Sequence, residues 1–86
     1  MYLFDSTDVD LTGKVRSVGQ IHVAADSGAD AAINFRNGGA TGDIIIPLRV
    51  PAGTSAHISL FRPVLFPKGL YVEVDAAAET GTVVPG

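Results

Sequence analysis

Period-two alternation, in short runs broken by proline and glycine, is the feature that most limits what this chain can fold into. In Leu70-Tyr71-Val72-Glu73-Val74-Asp75, positions 70, 72 and 74 are aliphatic, whereas 73 and 75 are acidic. A strand turns successive side chains to opposite faces, so such a run has one buried and one wet face. Thr54 to Leu60 repeats the pattern, with Ala56, Ile58 and Leu60 on one face and Ser55, His57 and Ser59 on the other. Ile44 to Val50 groups Ile44, Ile46, Leu48 and Val50. Pro47, on its opposite face, has no amide hydrogen to donate and marks an edge or bulged strand. Arg16 to Ala25, Ala31 to Arg36 and Thr80 to Val84 are the remaining expected strands. No stretch has helical spacing with caps; Asp75-Ala76-Ala77-Ala78-Glu79 holds helix formers but is too short for more than one turn.

The connectors agree with this reading. Val50-Pro51-Ala52-Gly53 and Phe66-Pro67-Lys68-Gly69 both place proline second and glycine fourth, the type I preference. Asp26 to Asp30 reads as a turn, and Asn37-Gly38-Gly39-Ala40-Thr41-Gly42-Asp43 as a flexible, exposed hairpin loop. Six or seven short strands so joined predict an all-β fold, a compact antiparallel β-sandwich or jelly-roll-like domain.

Eighty-six residues suffice for one domain. At this size only about 60% of the unfolded surface is buried, and apolar burial nearly cancels the entropy of ordering the chain. Small domains commonly close that gap with disulfides, metals or oligomers. The chain has no cysteine, which removes disulfides, thiolate metal sites and a cysteine nucleophile. A mean hydropathy of +0.32 points to more apolar surface than one small core hides. Oligomerisation, or docking onto a larger assembly, is the expected solution.

Charge is segregated along the chain. Residues 1–11 carry Asp5, Asp8 and Asp10, and residues 69–86 carry Glu73, Asp75 and Glu79, so each segment has a charge of −3. Residues 12–30 balance, and residues 31–68 carry four basic groups against Asp43, for +3. Basic residues are not clustered or interleaved with aromatics, so no nucleic-acid partner is expected. Acidic ends around a basic middle are first read as solvated surface charge, with head-to-tail docking between subunits as the second reading. The start Met1-Tyr2-Leu3-Phe4-Asp5 lacks the basic flank and apolar run of a signal peptide, and no run is long enough to span a membrane. Synthesis in a cytoplasm is expected, with no membrane partner.

Candidate chemistry is thin. His22 and His57 each fall on the outer face of an alternating strand, the usual place of a surface histidine. Asp26, Asp30, Asn34, Asn37 and Asp43 lack the alternating spacing and distant glutamate of a calcium loop, and turn chemistry accounts for them. Gly38-Gly39-Ala40-Thr41-Gly42 has neither the lysine nor the helix of a phosphate-binding loop. No serine occupies a Gly-x-Ser-x-Gly elbow, and there is no tryptophan to serve as a sugar platform. No catalytic residue, metal or cofactor is therefore expected. Residues 1–11 are expected to form an arm that leaves the sandwich of residues 12–86 and places Tyr2, Leu3 and Phe4 against a neighbour; the alternative is a first strand that closes over its own core. Phe66 and Tyr71 are the other expected interface residues, and Asn37, Gly38, Gly39 and Asp43 the exposed loop positions.

The run Leu65-Phe66-Pro67-Lys68-Gly69-Leu70-Tyr71-Val72-Glu73-Val74, the end Thr80 to Val84 and the earlier Ala52-Gly53-Thr54-Ser55-Ala56 together resemble small β-rich virion proteins of tailed bacteriophages. The likeness covers about residues 50–84 and is one of sequence style. It implies a multicopy, non-enzymatic structural subunit residing in a virion, a head decoration or cement protein first, a fibre, head–tail or tail component second. Its partners would be copies of itself and other virion proteins. A small module that contacts a glycan or host surface through its loops is the other reading.

Overall fold

The computed structural model describes residues 2–5, 7–25, 28–76 and 78–86, with backbone only at 75–76 and 78–80. Eight strands follow one another: β1 (Tyr2–Phe4), β2 (Val9–Leu11), β3 (Ser17–Ala25), β4 (Ala31–Asn37), β5 (Asp43–Val50), β6 (Ser55–Leu65), β7 (Leu70–Ala76) and β8 (Ala78–Pro85). They form two four-stranded antiparallel sheets, ordered β1-β8-β3-β6 and β2-β7-β4-β5. Strand 1 thus pairs with 8, 2 with 7, 3 with 6 and 4 with 5, the winding of an eight-stranded jelly roll. The all-β sandwich expectation holds, with eight strands in place of six or seven.

The two additional strands are β1 and β2, so the expected arm is corrected: residues 2–4 and 9–11 are built into the two sheets. Tyr2-Leu3-Phe4 lies in register with Val83-Thr82-Gly81, and Val9-Asp10-Leu11 with Val72-Tyr71-Leu70. Phe4 and Leu11 are buried. Glycine at position 81 makes room for this, because a Cβ there would sit 2.2 Å from the Phe4 ring. That ring also meets Phe35 of β4 edge-on, with centroids 6.3 Å apart. The domain accordingly begins within residues 1–11, not at residue 12.

Alternation survives in the core. Ile21 and Val23 of β3, Ile33 and Phe35 of β4, and Leu70 and Val72 of β7 interlock between the sheets with almost no exposure. Pro47 stands in β5, an edge strand, as its missing donor requires. The turn at Phe66-Pro67-Lys68-Gly69 closes as expected, Gly69 N donating to Phe66 O at 2.8 Å. The other turn closes one residue later than expected, by Thr54 N to Pro51 O at 3.1 Å. Gly53 is then third in the turn with φ 72°, the glycine position of a type II turn.

Candidate assembly surfaces

The expected site residues divide sharply. Of Tyr2, Leu3 and Phe4, only Leu3 is exposed; Tyr2 is half-buried and Phe4 is core. Phe66 is corrected from interface to core. Its backbone N donates to Arg16 O at 2.8 Å, and its ring fills the end of the sandwich with no exposure. Tyr71 is half-buried and its hydroxyl donates to Asp8 Oδ2 at 3.2 Å. Partial burial, then the Asp8 carboxylate, pushes its phenol above the ordinary value. Asp8 also accepts from Val74 N at 2.9 Å, so Tyr71 and Asp8 fasten the lead-in to β2 onto β7.

The Asn37–Asp43 loop is tethered rather than free. Asn37 Oδ1 accepts from Lys68 N at 2.9 Å, Gly38 N donates to Gly69 O at 2.8 Å, and Arg36 Nη1 donates to Gly42 O at 2.7 Å. Gly38 and Gly39 supply the positive φ the loop needs, and Gly38 and Asp43 are exposed. The turn at 26–30 lies partly outside the described residues. Its Asp30 accepts from Ala52 N at 2.8 Å.

A polar cluster that sequence reading missed covers the outer face of the β2-β7-β4-β5 sheet. Asn34, itself buried, donates to Glu73 Oε1 at 2.8 Å and accepts from Arg49 Nη1 at 3.2 Å. Arg36 Nη2 reaches the same Glu73 oxygen at 3.1 Å. The Asn34 bond first, and the Arg36 bond next, hold the Glu73 carboxyl below its ordinary value. The sign follows from linkage: a carboxylate with a lowered folded value adds stability above its unfolded value and loses it as pH falls through the folded one. Asp5 and Asp10, each held low by an adjacent threonine's hydrogen bonds, act in the same direction. Thermal melts of Glu73→Gln from neutral to acid pH should therefore show a shallower acid loss than the native chain. Identical pH profiles for the two would contradict the assignment.

Apolar exposure gathers at sheet edges. Phe61 is 98% exposed, Leu3 72% and Leu65 67%, with Ile44 and Ile45 also in contact with solvent. Phe61 and Leu65 lie on β6, an edge strand in which no residue is fully buried. The reason is a long bulge. Val18 pairs with Val64 and Gln20 with Ser59, so the single Gly19 of β3 faces Leu60, Phe61, Arg62 and Pro63. On β5, which occupies the same side of the sandwich, Ile46 faces inward but is only partly covered. A bulge opposite Phe35 and Arg36 pairs Ile44 with the outward Arg36 and removes it from the expected inward set of Ile44, Ile46, Leu48 and Val50. At the opposite edge, Leu3, Phe4, Asp5, Thr7 and Val9 line a shallow, open hollow of about 270 Å³.

The topology also sorts the charge. Because β5 to β6 and β7 to β8 cross between sheets through short connections, β1, β8, β2 and β7 share one half of the sandwich. Both acidic segments, 1–11 and 69–86, therefore fall on that half, and the basic segment 31–68 supplies the β4, β5 and β6 edge. His22 and His57 face each other across β3 and β6, ring centroids 5.9 Å apart. No third histidine, aspartate or glutamate joins them in a metal-ligating group among the described residues. Compared with protein-family models, curated proteins and solved structures, the chain matches none.

Proposed function

We propose that this chain is a non-enzymatic structural subunit of a tailed-phage virion, a head decoration or cement protein, made in the host cytoplasm. It works by contact through its sheet edges with copies of itself and with other virion proteins, and needs no cofactor, nucleic acid or membrane. The observation that carries this reading is the uncovered β5/β6 side. There the inward-facing Ile46, Ala56, Ile58, Leu60 and Val64 remain partly accessible, and Ile44, Ile45 and Phe61 stand exposed. A core that thin at one edge gains apolar burial when a partner covers it. The exposed edge strands also offer unpaired backbone groups to that partner. The virion setting is supported by the sequence likeness over residues 50–84, and by the recurrence of jelly rolls in viral capsid proteins, an analogy of fold alone. Quantitative mass spectrometry of gradient-purified particles from the source of the chain tests it. The expected result is a multicopy component in fixed ratio to the major shell protein; its absence from particles would refute the virion role.

A further inference from the structure

Phe61 and the hollow at the β1–β2 connection are complementary features that one chain cannot bring together. They lie at opposite edges of the β1-β8-β3-β6 sheet, with β8 and β3 between them. We propose that Phe61 of one copy inserts into the hollow lined by Leu3, Phe4, Asp5, Thr7 and Val9 of a second copy, with Arg62 set against Asp5. This rests on the reading of the chain as a self-assembling subunit and specifies the surface it uses.

Three independent observations converge on it. First, the β6 bulge presents Phe61 as a knob, 98% exposed, and a solitary aromatic so placed is the form a central binding anchor takes. Second, the hollow is apolar where a ring would rest. Leu3 and Val9 stand on its walls, with the buried Phe4 beneath them. Third, the charges match: Arg62 has no partner among the described residues, whereas Asp5 uses Oδ1 for Thr7 and is held ionised by those bonds. The surroundings agree, since Arg62 is the sole charged residue of β6 whereas Asp5, Asp8 and Asp10 lie along the β1/β2 edge. Because knob and hollow are different surfaces, the contact is heterologous. Repetition then yields a closed ring or an open row, not a two-fold dimer.

Sedimentation velocity on the full chain distinguishes this contact from other modes of association. Phe61→Ser removes the knob and Leu3→Glu spoils the hollow; both positions are exposed, so the fold should tolerate either change. The native chain should assemble beyond a dimer, and each variant should weaken association by about 30-fold or more, as loss of an aromatic anchor does. An equimolar mixture of the two variants should recover a dimer of one copy each and nothing larger, because one intact knob then meets one intact hollow. Variants that assemble like the native chain, or a mixture that stays monomeric, would overturn this contact while leaving self-assembly by another surface. A native chain that is monomeric throughout yet abundant in particles would overturn the contact and leave the virion role standing.

Discussion

A chain lacking residues 1–11 is expected to lose its cooperative fold. The segment supplies Phe4 and Leu11 to the core, each worth about 1.5–3 kcal/mol when fully buried. It also supplies β1 and β2, whose hydrogen bonds to β8 and β7 contribute about 0.5–1.5 kcal/mol apiece. Removing Phe4 opens the surface over Gly81 and leaves Phe35 without its edge-on neighbour. A domain of this size is held by little more than about 5 kcal/mol, near the lower end of the ordinary range. The loss therefore matches or exceeds the whole stability. Far-ultraviolet circular dichroism during a thermal melt should show no sigmoidal transition for the truncated chain. A cooperative melt close to that of the full chain would mean that the segment is an arm after all.

Gly69→Ala is expected to destabilise the fold strongly, because it combines backbone strain with a backbone clash. Gly69 has φ 98°, in the left-handed region where a side chain is strained, at about 1–3 kcal/mol. Its Cβ would also meet backbone atoms of Thr12, the carbonyl oxygen at 2.3 Å and Cα at 2.5 Å, and backbone has no rotamer into which to retreat. The site joins three connections. Gly69 O accepts from Gly38 N, Gly69 N donates to Phe66 O, and the next residue, Leu70, donates its N to Val15 O. Relief of the clash must move the β2–β3 connection away from β7, which uncovers Val15 and Leu70. A loss of about 3–5 kcal/mol, at the upper end for point substitutions, should appear as a large fall in the urea midpoint. Gly39→Ala is the companion control. Its φ of 139° is also positive but its Cβ would meet nothing, so it should cost clearly less. Equal effects at the two positions would show that strain alone, not the Thr12 contact, sets the cost.

Strands of seven or more residues were legible in the sequence because two or three alternations suffice to define a face. Ala56, Ile58 and Leu60 do lie inward on β6, and Leu70 and Val72 lie inward on β7. Strands β1 and β2 were not legible for the converse reason. Three consecutive apolar residues at Tyr2-Leu3-Phe4 show no period, and Val9-Asp10-Leu11 carries a single alternation, too short to define a face. Only pairing with β8 and β7 makes them strands. Phe66 misled because it stands in a Pro-x-Gly turn, where exposure is the rule, yet its ring turns back under the sandwich. Phe61 did leave a signal: after Leu60 the alternation breaks, and Phe61 puts an aromatic where an outward polar residue belongs, two residues before Pro63. The charge segments were visible along the chain, but only the jelly-roll order brings the first and last segments to the same half. The facing of His22 and His57, and the gathering of Asn34, Arg49 and Glu73, likewise depend on register between strands distant in sequence.

The central claim is that the isolated sandwich is incomplete at its β5/β6 edge and gains its missing cover from an identical neighbour. Native mass spectrometry of the full chain over a wide concentration range measures this directly. The account predicts discrete assemblies at integral multiples of the 8.9 kDa chain, growing with concentration at the expense of the monomer. A single monomeric species across the whole range would contradict it.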